Sequence, residues 1–586
     1  KWQSDFQHSI GKNHARYFDQ NGWLYYTKEI FDLFYPSYGD TYPMFNGAIG
    51  MTYEQGGSGS ASRKVDMNNG ETVSLKDRIN HHFTTSLSTI EMSSKNASEL
   101  LEKYVSYFKS HSTNPIGKYK SFVIRHDNAE GKKEALLDLL DKNKINYGLT
   151  NATSSYSGYN YETGKTTSFK VNNDDIIINA YQPKSVLVQV LFEPQSYLVD
   201  SLTYDITAWS LAHAYGLKAY ATETKISVDL KYVSPENKFE PSKNAYGYLA
   251  KWQSLKDAKF IGQLMDQGVT ARTAKEKFTI EGKEYPAGTL IITRGDNRKL
   301  EDNFEKTIIE TAAKLNYENL TAVSTGFADS GADLGSESLI LLKKPKVAVL
   351  AGDKTSPYSF GQIWHFFETD LDYPLTTVPV ENFQYLNLEN YSLIILPEGW
   401  YSLSDGTLDK LKTWIRSGGR VIAVGSGVSK LEGKPGFNLK KYAEEGDKNE
   451  ANRVYEKETL ASRMEPHSHR RRNSIKNNMP GAIFKLNWDN THPLGFGMSD
   501  YYFSLKTSSR HFQYLKNTSN VGYIGKDPLV LGFAGSKTKK NQEETTVFAV
   551  QRMGRGNVTY MVDNPLFRAF WYQGKMVFAN AIFLNQ

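Results

Sequence analysis

Cysteine is absent from the 586 residues, which excludes disulfides, thiolate metal sites and a cysteine nucleophile. It leaves the compartment open, because an oxidising envelope tolerates cysteine-free proteins. No stretch of about 18 apolar residues occurs, so the sequence offers no membrane-spanning helix. Excess charge of one sign is also missing: 70 Lys and Arg against 64 Asp and Glu give a formal net charge of +6. Such a balance does not announce a nucleic-acid binder, and no nucleic-acid partner is expected.

What is present is a chain too long for one core, which suggests about three to four domains at about 150 residues each. A mean hydropathy of −0.53, with 23% charged and 39% hydrophobic residues, describes an ordinary soluble protein. Aromatic residues are frequent, with 37 Tyr, which suits a bacterial envelope protein that handles peptides or glycans.

One stretch organises the rest, Phe31 to Gly57. Ala48-Ile49-Gly50-Met51-Thr52-Tyr53 is an apolar run that predicts a buried strand, and Glu54 stands at its end. A charge there is costly unless it is paired or working. Two readings stay open at this point: Glu54 caps the strand end or pairs with Arg63, or it is a functional carboxylate. A Gly/Pro/Tyr/Asp loop precedes it, and a flexible Gly/Ser run from Gly56 to Ser60 follows.

The run from His14 to Glu91, with its YPSYGDTYPMFNGAIGMTYEQ segment and the later NHHFTTSLSTIE, resembles the closing third of the catalytic domain in zinc carboxypeptidases of the carboxypeptidase A family. More narrowly, it is similar to the large bacterial members, common in Bacteroidetes, that carry extra domains after the peptidase. The resemblance implies Glu54 as general base and Tyr35 as the mobile, substrate-contacting tyrosine, with a peptide as substrate. A carboxylate beside a zinc-bound water can take its proton and return it to the leaving amine.

The same resemblance requires a His-x-x-Glu pair and a distant His as zinc ligands, all before the final Glu. The 53 residues before Glu54 contain His8 and His14 and no His-x-x-Glu. The arginines that hold a substrate's terminal carboxylate are missing too. The resemblance therefore implies the carboxy-terminal portion of a longer peptidase, with zinc in the complete protein and none in this chain alone. His365-Phe366-Phe367-Glu368 has the right spacing but follows Glu54, and its surroundings predict an amphipathic helix. His81 and His82 are adjacent, and neighbouring side chains on a helix diverge by about 100°, a poor chelate.

Along the chain, the expected organisation is a carboxypeptidase A-like α/β remnant over 1–112, small α/β domains over 117–232 and 243–344, and a flavodoxin-like domain over 345–586. In the first part Gly22 to Tyr26 predicts a strand. Ser74 to Lys109 predicts one or two helices whose Ile79, Phe83, Leu87, Ile90, Leu100, Leu101, Tyr104 and Val105 cover the sheet carrying Glu54. Further on, strands are predicted at Ser121 to Ile124, Asp175 to Ala180 and Ser185 to Leu191, and helices at Gly131 to Lys142 and Asp205 to Tyr215. In that last helix His213 reads as a satisfied residue rather than a ligand. Thr222 to Ser242 reads as a polar linker, and Asp329 to Gly335 as a plain Gly/Asp loop, since it lacks phosphate-loop patterns.

From Lys346 the βα alternation is strongest: Val347 to Leu350, a helix near Phe360 to Leu371, Tyr391 to Pro397, a helix from Gly406 to Ser417, then Gly418 to Gly425. This pattern is similar to the class I glutamine-amidotransferase-like domain, whose nucleophile position falls near Gly425-Ser426-Gly427. Without cysteine that chemistry is out. Ser426 lacks both the Gly-x-Ser-x-Gly elbow and a His at recognisable spacing, so a non-catalytic scaffold or binding module is expected. His467-Ser468-His469-Arg470-Arg471-Arg472 is a basic run, read as a solvated loop ahead of an acidic-partner or lipid-headgroup contact. Segments near the end, such as NPLFRAFWYQGKMVFANAIFL, extend the resemblance to nearly the whole chain.

Two functions follow. One is a zinc carboxypeptidase in the bacterial periplasm or at the cell surface, with the remaining peptidase domain as partner. The other is a non-enzymatic envelope binding or scaffold module, for instance in an outer-membrane complex.

Overall fold

The computed structural model describes all residues except 28–33, 57–63, 152, 199–202, 234–238, 240–244, 441–459 and 461–462. The Gly/Ser run from Gly57, the Arg63 partner proposed for Glu54, and Pro235 and Pro241 of the expected linker lie outside the described residues.

The first helix, α1 (Trp2–Asn21), stops at Gly22, whose φ of 64° supplies the left-handed cap. The strand expected at Gly22 to Tyr26 does not form, and Leu24 is 86% exposed. Ala48 to Tyr53 forms no strand either. The physical reason is competition: Gln3 and Gln7 of α1 donate to the carbonyls of Ala48 (2.5 Å) and Gly50 (2.6 Å), groups a neighbouring strand would need. A hairpin, β1 (Lys64–Asp66) and β2 (Thr72–Ser74), leads into α2 (Leu75–Lys95). There Ser74 and Asp77 form a reciprocal capping box. The next helix, α3 (Ala97–Thr113), follows directly. The expected cover over a sheet is absent among the described residues: Ile79, Phe83, Leu87 and Ile90 of α2 all remain exposed, Phe83 at 61%.

The second part is an antiparallel sheet of β3 (Ser121–Ile124), β4 (Ser155–Asn160), β5 (Lys165–Lys170), β6 (Ile176–Asn179) and β7 (Ala219–Thr222), in the order β5-β4-β7-β3-β6. Packed with it are α4 (Glu130–Lys142), α5 (Ser185–Phe192) and the short α6 (Leu211–Ala214). The expected strand at Ser185 to Leu191 is thus a helix. A short, wholly apolar run carries no period that separates the two, and burial among neighbours decides. The expected helix at Asp205 to Tyr215 shrinks to α6, because Thr207 ties its N–H and Oγ1 to the carbonyl of Gly481.

A second antiparallel sheet, in the order β13-β8-β12-β9-β14, holds β8 (Gly247–Ala250), β9 (Arg272–Ala274), β12 (Leu290–Thr293), β13 (Thr321–Val323) and β14 (Leu339–Leu341). Between β9 and β12 stands a hairpin of β10 (Phe278–Ile280) and β11 (Lys283–Tyr285). Beside this sheet lie α7 (Leu255–Asp266) and α8 (Asn303–Lys314).

The last part holds a ten-stranded mixed sheet. Its parallel half contains β15 (Val347–Ala351), β16 (Thr376–Pro379), β17 (Leu393–Leu396) and β18 (Arg420–Val424). Its antiparallel half contains β19 (Gly481–Trp488), β20 (Tyr501–Lys506), β21 (Ser519–Ile524), β22 (Val530–Phe533) and β23 (Thr545–Met553). The strand β24 (Gly556–Met561) joins the halves, and the parallel order is β16-β15-β17-β18-β24. Counted along the chain, that order is 2-1-3-4-5, with the crossovers of a doubly wound sheet. The helices α9 (Pro357–His365) and α10 (Asp405–Arg416) serve as two of them. The chain is therefore an α/β protein of several sheets.

One hydrophobic core runs through the second, third and last parts. The closing helix Tyr572–Phe583 is buried at every position. Its Asn580 accepts from Trp252 Nε1 (2.5 Å) and donates to the carbonyls of Leu494 and Phe496 (both 2.9 Å), joining the third part to the last. Trp252 itself is fully buried. Removing about 200 Å² of aromatic surface from water stabilises by about 5 kcal/mol.

Candidate functional site

Glu54 lies in a segment without regular structure and is exposed. Its neighbour Gln55 accepts from His81 Nδ1 through its Oε1 at 2.8 Å. Gln55 also lines an open groove of about 450 Å³ with Leu75, Arg78, Ile79, His82 and Phe83. The proposed base therefore stands one residue from an apolar groove formed by α2. Tyr35 is elsewhere, only 5% exposed. The guanidinium of Arg568 lies 4.5 Å from its ring centroid, and the Tyr38 ring meets it edge-on. Burial raises the Tyr35 pKa, with Arg568 opposing. Tyr38, bonded to Arg568 at 2.6 Å, is pushed up to about 12 by burial and then by Asp205. No hydrogen bond, ion pair or ring contact joins Tyr35 to Glu54 among the described residues.

The arginine that holds Tyr35 gives no sequence signal, yet its backbone is unusual. Arg568 and Ala569 both adopt positive φ, 49° and 58°. Two consecutive left-handed residues with side chains are costly, of order 1–3 kcal/mol each, and persist only where surroundings enforce them.

The metal-like histidines are accounted for. His81 packs on Trp23 at 4.5 Å between ring centroids, and His365 stands 3.8 Å from Asp370 in a helix that continues as a π turn. His213 is fully buried, bonded at 3.2 Å to the Tyr161 carbonyl, and burial lowers its pKa to about 3. The basic run is helical over His467–Ser474 rather than a loop, with no buried residue. Among the described residues, no group of three His, Asp or Glu could hold a metal. The described residues therefore do not fit a zinc centre.

A second cluster was not legible in full. At the carboxyl ends of the parallel strands, β17 runs into Glu398 and β18 into Gly425-Ser426. Gly425 adopts φ 53°, a conformation that favours glycine, and a Cβ there would displace the Glu398 carboxyl, whose Cδ lies 2.4 Å away. Ser426 Oγ accepts from the Gly399 N–H at 3.1 Å, and Glu398 accepts from the Ser426 N–H at 3.4 Å. Asn564, just past β24, donates to Glu398 Oε1 (3.3 Å) and Gln362 (2.7 Å), while Arg510 stands 3.6 Å from Glu398 Oε2. These contacts supply no base for Ser426, whose nucleophilic role therefore lacks chemistry. The cluster sits where open α/β sheets bind ligands.

No protein-family model matches the chain, and no curated protein matches it. Among solved structures, it is similar to a cytoplasmic protein from Salmonella typhimurium at 10% identity, covering 40% of this chain and 97% of that one, TM-score 0.25. A ThuA-like protein from Parabacteroides merdae is similar at 14% identity, over 40% and 90% of the two chains, with the same TM-score of 0.25. A beta-galactosidase from Bacillus circulans sp. alkalophilus shows 11% identity, over 40% and 30%, TM-score 0.23. None of these three is a carboxypeptidase, and at such scores function must be argued from this chain's own residues.

Proposed function

We propose that the chain serves peptide hydrolysis as the base-bearing portion of a zinc carboxypeptidase of the bacterial periplasm or cell surface, its α/β parts acting as a non-catalytic scaffold. The observation that carries this reading is Glu54, a carboxylate in the segment that resembles the family, beside an α2 face whose apolar stripe is built for burial yet open. Zinc and its ligands belong, in this reading, to polypeptide other than the described residues. What Glu54 supplies is proton transfer: it can take a proton from an attacking water and deliver it to the leaving amine. Tyr35 reaches a peptide only by leaving its Arg568 contact, so Glu54 carries the proposal.

The test is Glu54→Gln in the complete native polypeptide, assayed on peptides with free and amidated carboxyl termini. Loss of about 100- to 10,000-fold in turnover with zinc retained supports the assignment. Undiminished hydrolysis sinks it. The chain alone is expected to hold no stoichiometric zinc by elemental analysis.

The other reading, a non-enzymatic envelope module, is favoured by Ser426, whose hydroxyl takes a backbone N–H and faces no base. This reading predicts no peptide hydrolysis by the complete native polypeptide, with or without added zinc.

A further inference from the structure

We propose that the carboxyl edge of the parallel sheet binds a neutral saccharide, with Tyr358 and Trp400 as stacking rings and Glu398, Arg510, Gln362 and Asn564 as the polar groups that take its hydroxyls. The two rings are 81% and 76% exposed, unusual for side chains of that size. Their backbones are bound together: Trp400 N–H donates to the Lys354 carbonyl at 2.7 Å, and Thr355 and Gly399 form a β-bridge. Ser359, next to Tyr358, accepts from the Glu398 N–H at 3.1 Å. The rings therefore flank one polar cluster rather than two separate surfaces. Gln362 lies one helical turn beyond Tyr358 on α9 and reaches Asn564 at 2.7 Å, which in turn reaches Glu398.

A sugar ring presents an apolar C–H face for stacking and an edge of hydroxyls that a carboxylate, an amide and a guanidinium can bond. A nucleotide is the competing planar ligand, and the charges disfavour it. The Glu398 carboxylate occupies the cluster's centre, its nearest cation Arg510 already faces it at 3.6 Å, Lys430 is tied to the Gly399 carbonyl at 2.9 Å, and no Gly-x-Gly-x-x-Gly loop is present. The Nε of Arg510 is buried without a partner, leaving one donor of the cluster unused.

The test uses the full chain and intrinsic tryptophan fluorescence, titrated with cellohexaose, maltohexaose, xylohexaose and chitohexaose, and with AMP as the nucleotide probe. Binding of at least one oligosaccharide is expected, weakened about tenfold or more by Trp400→Ala and by Tyr358→Ala, the latter read by calorimetry. Tyr197→Ala, an exposed ring in the second part, should change nothing. Unchanged melting temperatures show that the variants fold. No binding by any of the four sugars, binding indifferent to Trp400→Ala, or AMP binding as tight as the best sugar each overturns the proposal.

Discussion

The guanidinium of Arg568 stacks 4.5 Å from the ring centroid of Tyr35. The same group pairs with Asp205, 4% exposed, at 3.0 Å, so one side chain from the end of the chain pins both the loop before Glu54 and the second part. Removing the half-buried arginine leaves the buried Asp205 carboxylate uncompensated. Arg568→Ala should cost about 3 kcal/mol in urea unfolding. Asp205→Asn in the same chain should recover a good part of that loss. A double variant as unstable as the sum of the two singles would show that the residues are not coupled.

Lys506 and Asp563 form a deeper pair, 2.8 Å apart, and Ser504 donates to the second Asp563 oxygen at 2.6 Å. Lys506 is fully buried. Lys506→Met should therefore cost about 3–5 kcal/mol, since Asp563 keeps only a hydroxyl. Adding Asp563→Leu should restore most of that stability, because it removes the unpaired carboxylate and leaves only the Ser504 hydroxyl without its acceptor. A thermal shift on both variants decides this.

The parts legible in the sequence were those where burial acts on both faces. Val347 to Leu350 and Tyr391 to Pro397 read as strands because a parallel sheet covered on both sides needs unbroken apolar runs, and both formed where expected. Ser185 to Leu191 looked the same and became a helix, since its apolar run has no period of its own. Ala48 to Tyr53 failed for a different reason: its carbonyls were claimed by two glutamines more than 40 positions away. The cluster around Glu398 was half visible. Ser426 stood out on its turn, whereas Arg510 and Asn564 arrive from distant segments with no local pattern.

Two buried titrating groups set opposite slopes in pH. Burial raises Glu193 to about 7, so between about pH 4.5 and 7 the folded state holds a proton that the unfolded chain releases, and stability falls as pH rises. His213, lowered to about 3, gives the reverse. Below about pH 6.5 only the unfolded chain takes its proton, so stability is present above that value and is lost as pH falls. The two contributions oppose each other from about pH 4.5 to 6.5. Glu193→Gln should unmask the His213 slope, about 1.4 kcal/mol per pH unit over that window. It should also gain up to about 3 kcal/mol over wild type at pH 8 relative to pH 4. Parallel stability curves for the two proteins would refute the Glu193 shift.

Ile79, Phe83, Leu87 and Ile90 project from α2 at helical spacing and are all exposed, an apolar row of the kind that normally marks a covered face. In the chain alone, Phe83→Lys removes no packing and should change unfolding free energy by less than about 0.5 kcal/mol, while reducing binding of an apolar dye such as ANS. If the stripe is covered in the complete peptidase, as the proposed function requires, the same substitution there places an ammonium in an apolar contact. It should then cost about 2 kcal/mol or more. The contrast between the two backgrounds is the informative quantity, because a purely local effect of Phe83 on helix stability appears equally in both. A small cost in both would mean that nothing packs on α2, and Glu54 would lose the neighbour that makes it a credible base.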